Sequence, residues 1–122
     1  MRYKRILLCI PPMKGIISFY PWTGVGYLST WLSENNIENE VIDMTLGYTV
    51  KDLFHKIDEF CPDIVGISMM TRGYHVPYEI ISKIKEKNVA VVVGGPHASI
   101  FRKQVLVGSK ADFVVKLEGE YA

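Results

Sequence analysis

Four short stretches of this chain are almost uninterruptedly apolar: residues 6–10 (ILLCI), 64–69 (IVGISM), 89–93 (VAVVV) and, more weakly, 112–115 (DFVV). Apolar runs of this length without alternation fit strands covered on both faces, as in a parallel sheet. Residues 40–44 (EVIDM) are more polar and predict a further strand nearer an edge. The gaps carry helical spacing. Val25, Leu28 and Leu32 mark one face of a first helix, closed by Asn35 and Asn36. Val50, Leu53, Phe54 and Ile57 follow an i, i+3, i+4, i+7 stripe, with Thr49 and Asp52 placed to cap it. Pro77 stands in a tolerated first-turn position before Ile80, Ile81 and Ile84. Ser99 is placed to cap a fourth helix reaching about Val107, with Gly108 ending it.

The order β-α-β-α-β-α-β-α-β predicts an α/β fold: a doubly wound, flavodoxin-like or Rossmann-like five-stranded parallel sheet with helices on both faces. Ligands in such folds bind beyond the carboxyl ends of the strands, where strand order reverses. Function is therefore expected in four loops, residues 11–24, 70–76, 94–99 and 116–121. The chain stops at Ala122, just after the fifth strand, and Glu120-Tyr121-Ala122 reads as the beginning of a helix. The expectation is a fragment of a longer protein with its final helix truncated. Apolar sheet surface left bare by that helix would favour a homodimer of the fragment.

With 122 residues, 48% of them hydrophobic and 22% charged, the chain supports one globular domain with one core and not a disordered segment. A net charge of +1 gives no electrostatic case for nucleic acid or an anionic membrane surface. Arg2, Lys4 and Arg5 precede a five-residue apolar run that ends at Pro11, too short for a secretory signal or a membrane span. The expected location is the cytoplasm. Cys9 and Cys61 lack metal-ligand spacing and predict no structural disulfide; Cys9 reads as a small buried thiol.

The first loop is long for a βα connection and is apolar and aromatic, with Pro11, Pro12, Met13, Phe19, Tyr20, Pro21 and Trp22. It suits covering a flat, partly apolar ligand, or packing as a flap on its own domain. Gly24-Val25-Gly26-Tyr27-Leu28-Ser29 is a partial dinucleotide fingerprint, with Asp43 at the distance of a ribose-binding acid. That chemistry needs its first glycine directly after the strand, but thirteen residues lie between Ile10 and Gly24, and Ser29 replaces the third glycine. Close packing of Gly24 and Gly26 at the helix start is the better expectation. Gly94-Gly95-Pro96-His97-Ala98-Ser99 directly follows the strongest strand. Two glycines let backbone approach a bulky ligand, Pro96 stiffens the turn, and His97 can hydrogen-bond, having no histidine partner at ligand spacing. Gly66 lies inside a strand, a sign of close backbone approach, and Ser68 and Thr71 offer hydroxyls near its end. Pro11-Pro12 and Met69-Met70 stand where a phosphate-accepting receiver domain needs acidic residues, which excludes that function. No nucleophile has a recognisable base, and Glu118 and Glu120, flanking Gly119, can bind polar ligand groups or begin a helix.

The Pro-rich first loop, DIVGISMMT at 63–71, VVVGGPHAS at 91–99 and ADFVVKLEGE at 111–120 together resemble the N-terminal cobalamin-binding domain of B12-dependent radical-SAM enzymes, over essentially the whole chain. In cobalamin-binding domains a DxHxxG motif after the first strand supplies a histidine to cobalt. A later serine and a GG pair accommodate the displaced nucleotide tail. Ser68 and Gly94-Gly95 match the latter two. The DxHxxG is absent, and the corresponding loop, PPMKGIISFYPW, contains no histidine. The resemblance therefore implies cobalamin held with its tail in the domain and no protein histidine on cobalt. Met13, Phe19, Tyr20 or Trp22 would face the corrin. Leu117 replaces the first glycine of the family's GEGE, which weakens the carry-over at Glu118, Gly119 and Glu120.

The contact set implied is Met13, Trp22, Ser68, Met70, Thr71, Gly94, Gly95, Pro96, His97, Glu118, Gly119 and Glu120, with no catalytic residue and no metal ligand. The family's CxxxCxxC, which ligates the 4Fe-4S cluster that cleaves S-adenosylmethionine, is not in these residues. The resemblance places that cluster and S-adenosylmethionine in a catalytic radical-SAM domain after residue 122, in a parent enzyme such as a methyltransferase. Two alternatives stay open: a docking module of the same fold that has lost cobalamin, and a flavin or nucleotide binder using the turn at Gly24 to Gly26.

Overall fold

The computed structural model describes residues 3–12, 23–69 and 75–115. Their elements run β1 (Arg5–Ile10), α1 (Thr23–Glu34), β2 (Glu38–Asp43), a 3-10 turn (Met44–Leu46), α2 (Val50–Phe60), β3 (Ile64–Ser68), α3 (His75–Lys85), β4 (Ala90–Gly94), α4 (Pro96–Ser109) and β5 (Phe113–Val114). All pairings are parallel and the strand order is β2-β1-β3-β4-β5. This is the flavodoxin-like doubly wound sheet, whose order reverses between β1 and β3.

The apolar runs of β1 and β3 are covered on both faces over most of their length, while β4 alternates between buried and partly exposed positions. Leu7, Cys9, Val65, Ile67, Met69, Val91 and Val93 project to one face, where α2 brings Leu53, Ile57 and Phe60, α3 brings Ile80, Ile81 and Ile84, and α4 brings Val105. Leu7, Leu53, Ile81 and Ile84 are wholly shielded. Full burial of each such side chain contributes about 1.5–3 kcal/mol. The opposite face holds a smaller cluster, Leu8, Leu32 and Ile37 with Ile6, Val25, Leu28 and Trp31, drawn from β1, α1 and the turn after α1.

Local signals set several boundaries. Thr49 Oγ1 accepts from the Asp52 N–H and the Asp52 carboxylate accepts from the Thr49 N–H at 2.7 Å, a complete capping box at the start of α2. Cys61, at φ 52°, ends that helix before Pro62. Asn36, at φ 62°, closes the turn after α1.

Other expectations are corrected. Strand β2 begins two residues earlier than residue 40, and His75 opens α3 instead of lying in a loop. Helix α4 starts at Pro96, in the first-turn position that its missing N–H suits, with Gly95 as the cap residue. Ser99 therefore lies within the helix. Gly108 also lies inside α4, where a Cβ would come within 3.0 Å of the Tyr78 ring of α3, so its smallness serves helix packing.

The amino-terminal ends of the strands are tied by charge. Asp63 accepts from the N–H groups of Lys4 at 2.8 Å and Arg5 at 3.0 Å. Arg5 in turn donates to the Phe60 carbonyl at 2.6 Å and lies over the Phe60 ring. Asp112 accepts from the Val91 N–H at 2.8 Å and from Lys85 Nζ at 2.7 Å. Among the described residues no helix is long and apolar enough to cross a membrane.

Candidate functional site

The carboxyl ends of β3 and β4 bring together Ser68, Gly94 and Gly95. Ser68 and Gly94 are register partners, and the next N–H, of Met69, donates to the Gly94 carbonyl at 2.8 Å. This bond continues the ladder past the end of β3 and locks the two strand ends side by side.

The two glycines have different physical reasons. Gly95 has φ 95° and ψ −179°, a conformation essentially restricted to glycine. A Cβ there would lie 2.8 Å from the Met69 carbonyl oxygen, 2.9 Å from its nitrogen and 3.3 Å from Ser68 Oγ. The backbone that Gly95 must approach is therefore that of β3. A Cβ on Gly94 meets no atom of the described residues within 4 Å. Gly94 is thus the glycine that leaves space unfilled.

Alternation along the strands shows where that space lies. Gly66, Ser68, Val92 and Gly94 fall on the face opposite Val65, Ile67, Val91 and Val93, the same face as Leu8 and α1. Across it, Leu8, Gly66, Val92 and Phe113 form one lateral row over β1, β3, β4 and β5. Three strand spacings make that row about 14 Å long. The cluster on this face draws only on β1, α1 and the turn after α1, and Val92 and Gly94 stay partly exposed. Among the described residues this leaves a trough over Val92 and Gly94, bordered by the exposed Phe113 on one side and by the buried Gly66 and Leu8 on the other, with Ser68 at its carboxyl-end mouth. Gly66 serves its flatness: a Cβ would sit 3.1 Å from Leu8 Cδ2. Its close neighbour is a side chain of β1, not backbone.

Of the residues singled out from sequence, Ser68, Gly94 and Gly95 converge at this mouth, and α4 carries Pro96 and His97 in its first turn directly beside it. Met13, Trp22, Met70, Thr71, Glu118, Gly119 and Glu120 lie outside the described residues, as do the remaining aromatic residues of the first loop. Val92 and Phe113 were not anticipated. The signal for Val92 is the two-residue period that puts it in line with Gly94, and Phe113 joins that face only through its pairing with Val92.

The dinucleotide alternative loses its parts. Asp43 is occupied as a cap, its Oδ1 accepting from the Thr45 N–H at 3.0 Å and from Thr45 Oγ1 at 2.5 Å. Gly26 is exposed on α1, with no atom of the described residues within 4 Å of a Cβ, so close packing among them does not explain it either. Cys9 is shut in the core with its Sγ 3.7 Å from Met44 Sδ, and burial, reinforced by the Asp43 charge, pushes its thiol up to about 12. His55 faces solvent on α2 beside Glu59. Among the described residues no group of three or more His, Cys, Asp or Glu could hold a metal ion.

The B12 binding domain family matches residues 17–122. The chain belongs to that family. An uncharacterized methyltransferase of Pyrococcus horikoshii, PH0819, is 31% identical over 128 residues, covering 98% of this chain and 28% of that protein. The structure of TsrM from Kitasatospora setae, a radical S-adenosylmethionine methyltransferase with cobalamin and a [4Fe-4S] cluster bound, is similar with a TM-score of 0.82 and 25% identity, over 97% of this chain and 24% of that one. The cobalamin-dependent S-adenosylmethionine radical enzyme OxsB, with aqua-cobalamin and S-adenosylmethionine bound, gives a TM-score of 0.79 at 25% identity, over 97% of this chain and 17% of that one. This B12-binding domain therefore spans about a quarter or less of the length of these three relatives. The sequence resemblance and the fold lead to the same family.

Proposed function

We propose that this domain binds cobalamin with its nucleotide tail in the trough, without a histidine of the chain on cobalt. The observation that carries the proposal is the unfilled space over Gly94, opening beside Ser68 at the carboxyl end of the sheet. The serine and glycine pair that the family resemblance assigns to the tail are thus register neighbours on a face with room for it. Among the described residues, backbone, a hydroxyl and apolar side chains line the site, which suits a large, largely neutral ligand, while the paired charges lie at the other end of the strands. Ser68 supplies a hydroxyl that can donate or accept at the mouth. Gly95 fixes the turn that leads from β4 into α4, whose first turn holds Pro96 and His97. The first loop, rich in Met, Phe, Tyr and Trp and lacking histidine, is the cover for the corrin.

Bound cobalamin supplies a cobalt centre able to carry a methyl group or take part in radical chemistry, and the protein contributes position and environment. In the longer proteins that the relatives exemplify, this domain would present the cofactor to a radical-SAM domain holding the 4Fe-4S cluster and S-adenosylmethionine. The methyltransferase relatives favour methyl transfer by the whole enzyme.

The test is titration of the purified chain with hydroxocobalamin, followed by gel filtration and the visible spectrum. Saturable retention with no imidazole signature is expected, together with weaker retention in Trp22→Ala. An imidazole-ligated spectrum would overturn the histidine-free reading. Loss of the corrinoid on the column at saturating concentration would overturn binding by this domain.

A further inference from the structure

Strand β5 has two residues, and they divide between the faces. Val114 packs toward the α2, α3 and α4 side, while Phe113, laterally paired with Val92, is left on the trough face with 44% of its surface exposed. Its ring is braced. Tyr3 lies edge-on to it, with centroids 6.1 Å apart and planes at 74°, a favourable aromatic geometry. Tyr3 precedes β1 and Phe113 sits on β5, so the two rings meet across the span of β3 and β4. Phe113 thus stands opposite Leu8 and diagonally beside the empty position over Gly94, about 7–8 Å from it by the usual sheet spacing.

We infer that Phe113 is a selectivity wall: it packs against the flat base at the end of the cobalamin tail and favours an apolar benzimidazole base over a purine. The inference rests on reading the trough as the tail site. Continuity of Phe113 with Gly94 and Val92 in one trough argues for this occupant. The chemistry argues for its identity. Val92 and Phe113 offer apolar and aromatic surface and no side-chain donor or acceptor. A dimethylbenzimidazole base presents methyl groups and aromatic carbon to such walls. An adenine in the same place would bury ring nitrogens and an exocyclic amine against groups that cannot pair with them, which disfavours it.

The experiment compares cobalamin, cobinamide (which lacks the nucleotide tail) and an adenine-containing cobamide, each titrated into the wild-type chain, Phe113→Ala and Phe113→Leu. Urea midpoints check folding, and the leucine variant keeps apolar bulk without the ring. The wild type is expected to bind cobalamin about tenfold more tightly than the other two. Phe113→Ala should weaken cobalamin about tenfold, leave cobinamide unchanged and bring cobalamin and the adenine cobamide close together, with Phe113→Leu between. Equal losses for all three corrinoids, or none, would overturn the role of Phe113 while leaving the tail site intact, provided the wild type still prefers cobalamin to cobinamide. Absence of that preference in the wild type would remove the tail site and this inference together. A wild-type dimer that cobalamin does not alter and that Phe113→Ala dissolves would assign the ring to a second copy instead.

Discussion

Replacing each of the two adjacent glycines by alanine separates the fold from the site. In Gly95→Ala the new methyl group has no permissible position. It would lie 2.8 and 2.9 Å from backbone atoms of Met69, which cannot retreat without breaking the bond from the Met69 N–H to the Gly94 carbonyl. The residue would also be held at φ 95° and ψ −179°, which costs an alanine about 1–3 kcal/mol. Overpacking against fixed backbone adds about 1–3 kcal/mol. The sum, about 2–6 kcal/mol, is a large share of the 5–15 kcal/mol typical of a whole domain. It corresponds to a melting temperature lower by roughly 8–24 °C at this chain length. In Gly94→Ala the methyl enters open space in a strand with an ordinary backbone, so stability should change by no more than about 0.5 kcal/mol. That same methyl occupies the trough, and cobalamin affinity should fall about 10- to 100-fold. Urea unfolding and corrinoid titration of both variants read the two effects separately. A Gly95→Ala chain as stable as the wild type would refute the steric argument. Unchanged cobalamin affinity in Gly94→Ala would refute the trough.

Three further outcomes follow from the same coordinates. Thr49→Ala should cost about 1 kcal/mol in urea unfolding, since it removes one half of the capping box on α2. With Ellman's reagent at pH 8 the native chain should titrate one thiol, the exposed Cys61, and release the second, Cys9, only in denaturant, because burial holds that thiol up at about 12. The third concerns acid. The Lys4 and Arg5 N–H groups and nearby positive charges hold Asp63 below the usual carboxylate range; for Asp112, burial pushes upward but the Lys85 ammonium and the Val91 N–H outweigh it. The unfolded chain then binds more protons than the native one as pH falls, so this stabilisation is complete above the unfolded pKa of about 3.9 and is lost through the folded values below it. Urea midpoints measured from pH 6 to 3 should fall steeply below about pH 4, and Asp63→Asn should flatten that slope; an unchanged slope would refute the assignment.

Element type was legible in the sequence because β1 and β3 are buried on both sides and β4 carries apolar residues on both, so that they read as unbroken apolar runs, while α2 and α3 carry single stripes. The capping box was legible because both partners lie within one turn. What failed to show depends on contacts between distant segments. Ser99 looks like a cap only until the backbone places Pro96 in the first turn and Gly95 before it. Gly108 resembles a helix stop, yet its reason is the Tyr78 ring on α3. Gly94 and Gly95 are indistinguishable as letters; their roles diverge because one abuts the end of β3 and the other faces a vacant stretch of sheet. Phe113, on a strand of two residues, has too little periodicity to declare its face until its pairing with Val92 is known.

The two ends of the sheet are built from different materials, and the difference has a physical purpose. At the amino-terminal ends, Asp63 accepts from the Arg5 N–H of β1 and Asp112 from the Val91 N–H of β4, while Lys85 pairs with Asp112 and Arg5 with Glu38. Those groups secure the strands without needing a ligand. At the carboxyl ends of β3 and β4 the described groups are a hydroxyl and two glycines, joined by one backbone bond. A charged clamp there would carry its own hydration shell and would have to be desolvated before a bulky, mostly neutral cofactor could seat. Glycine and serine ask little of that kind. The clamps that secure the strands lie at the end away from Gly94, so one methyl group there should disturb binding and leave the fold intact.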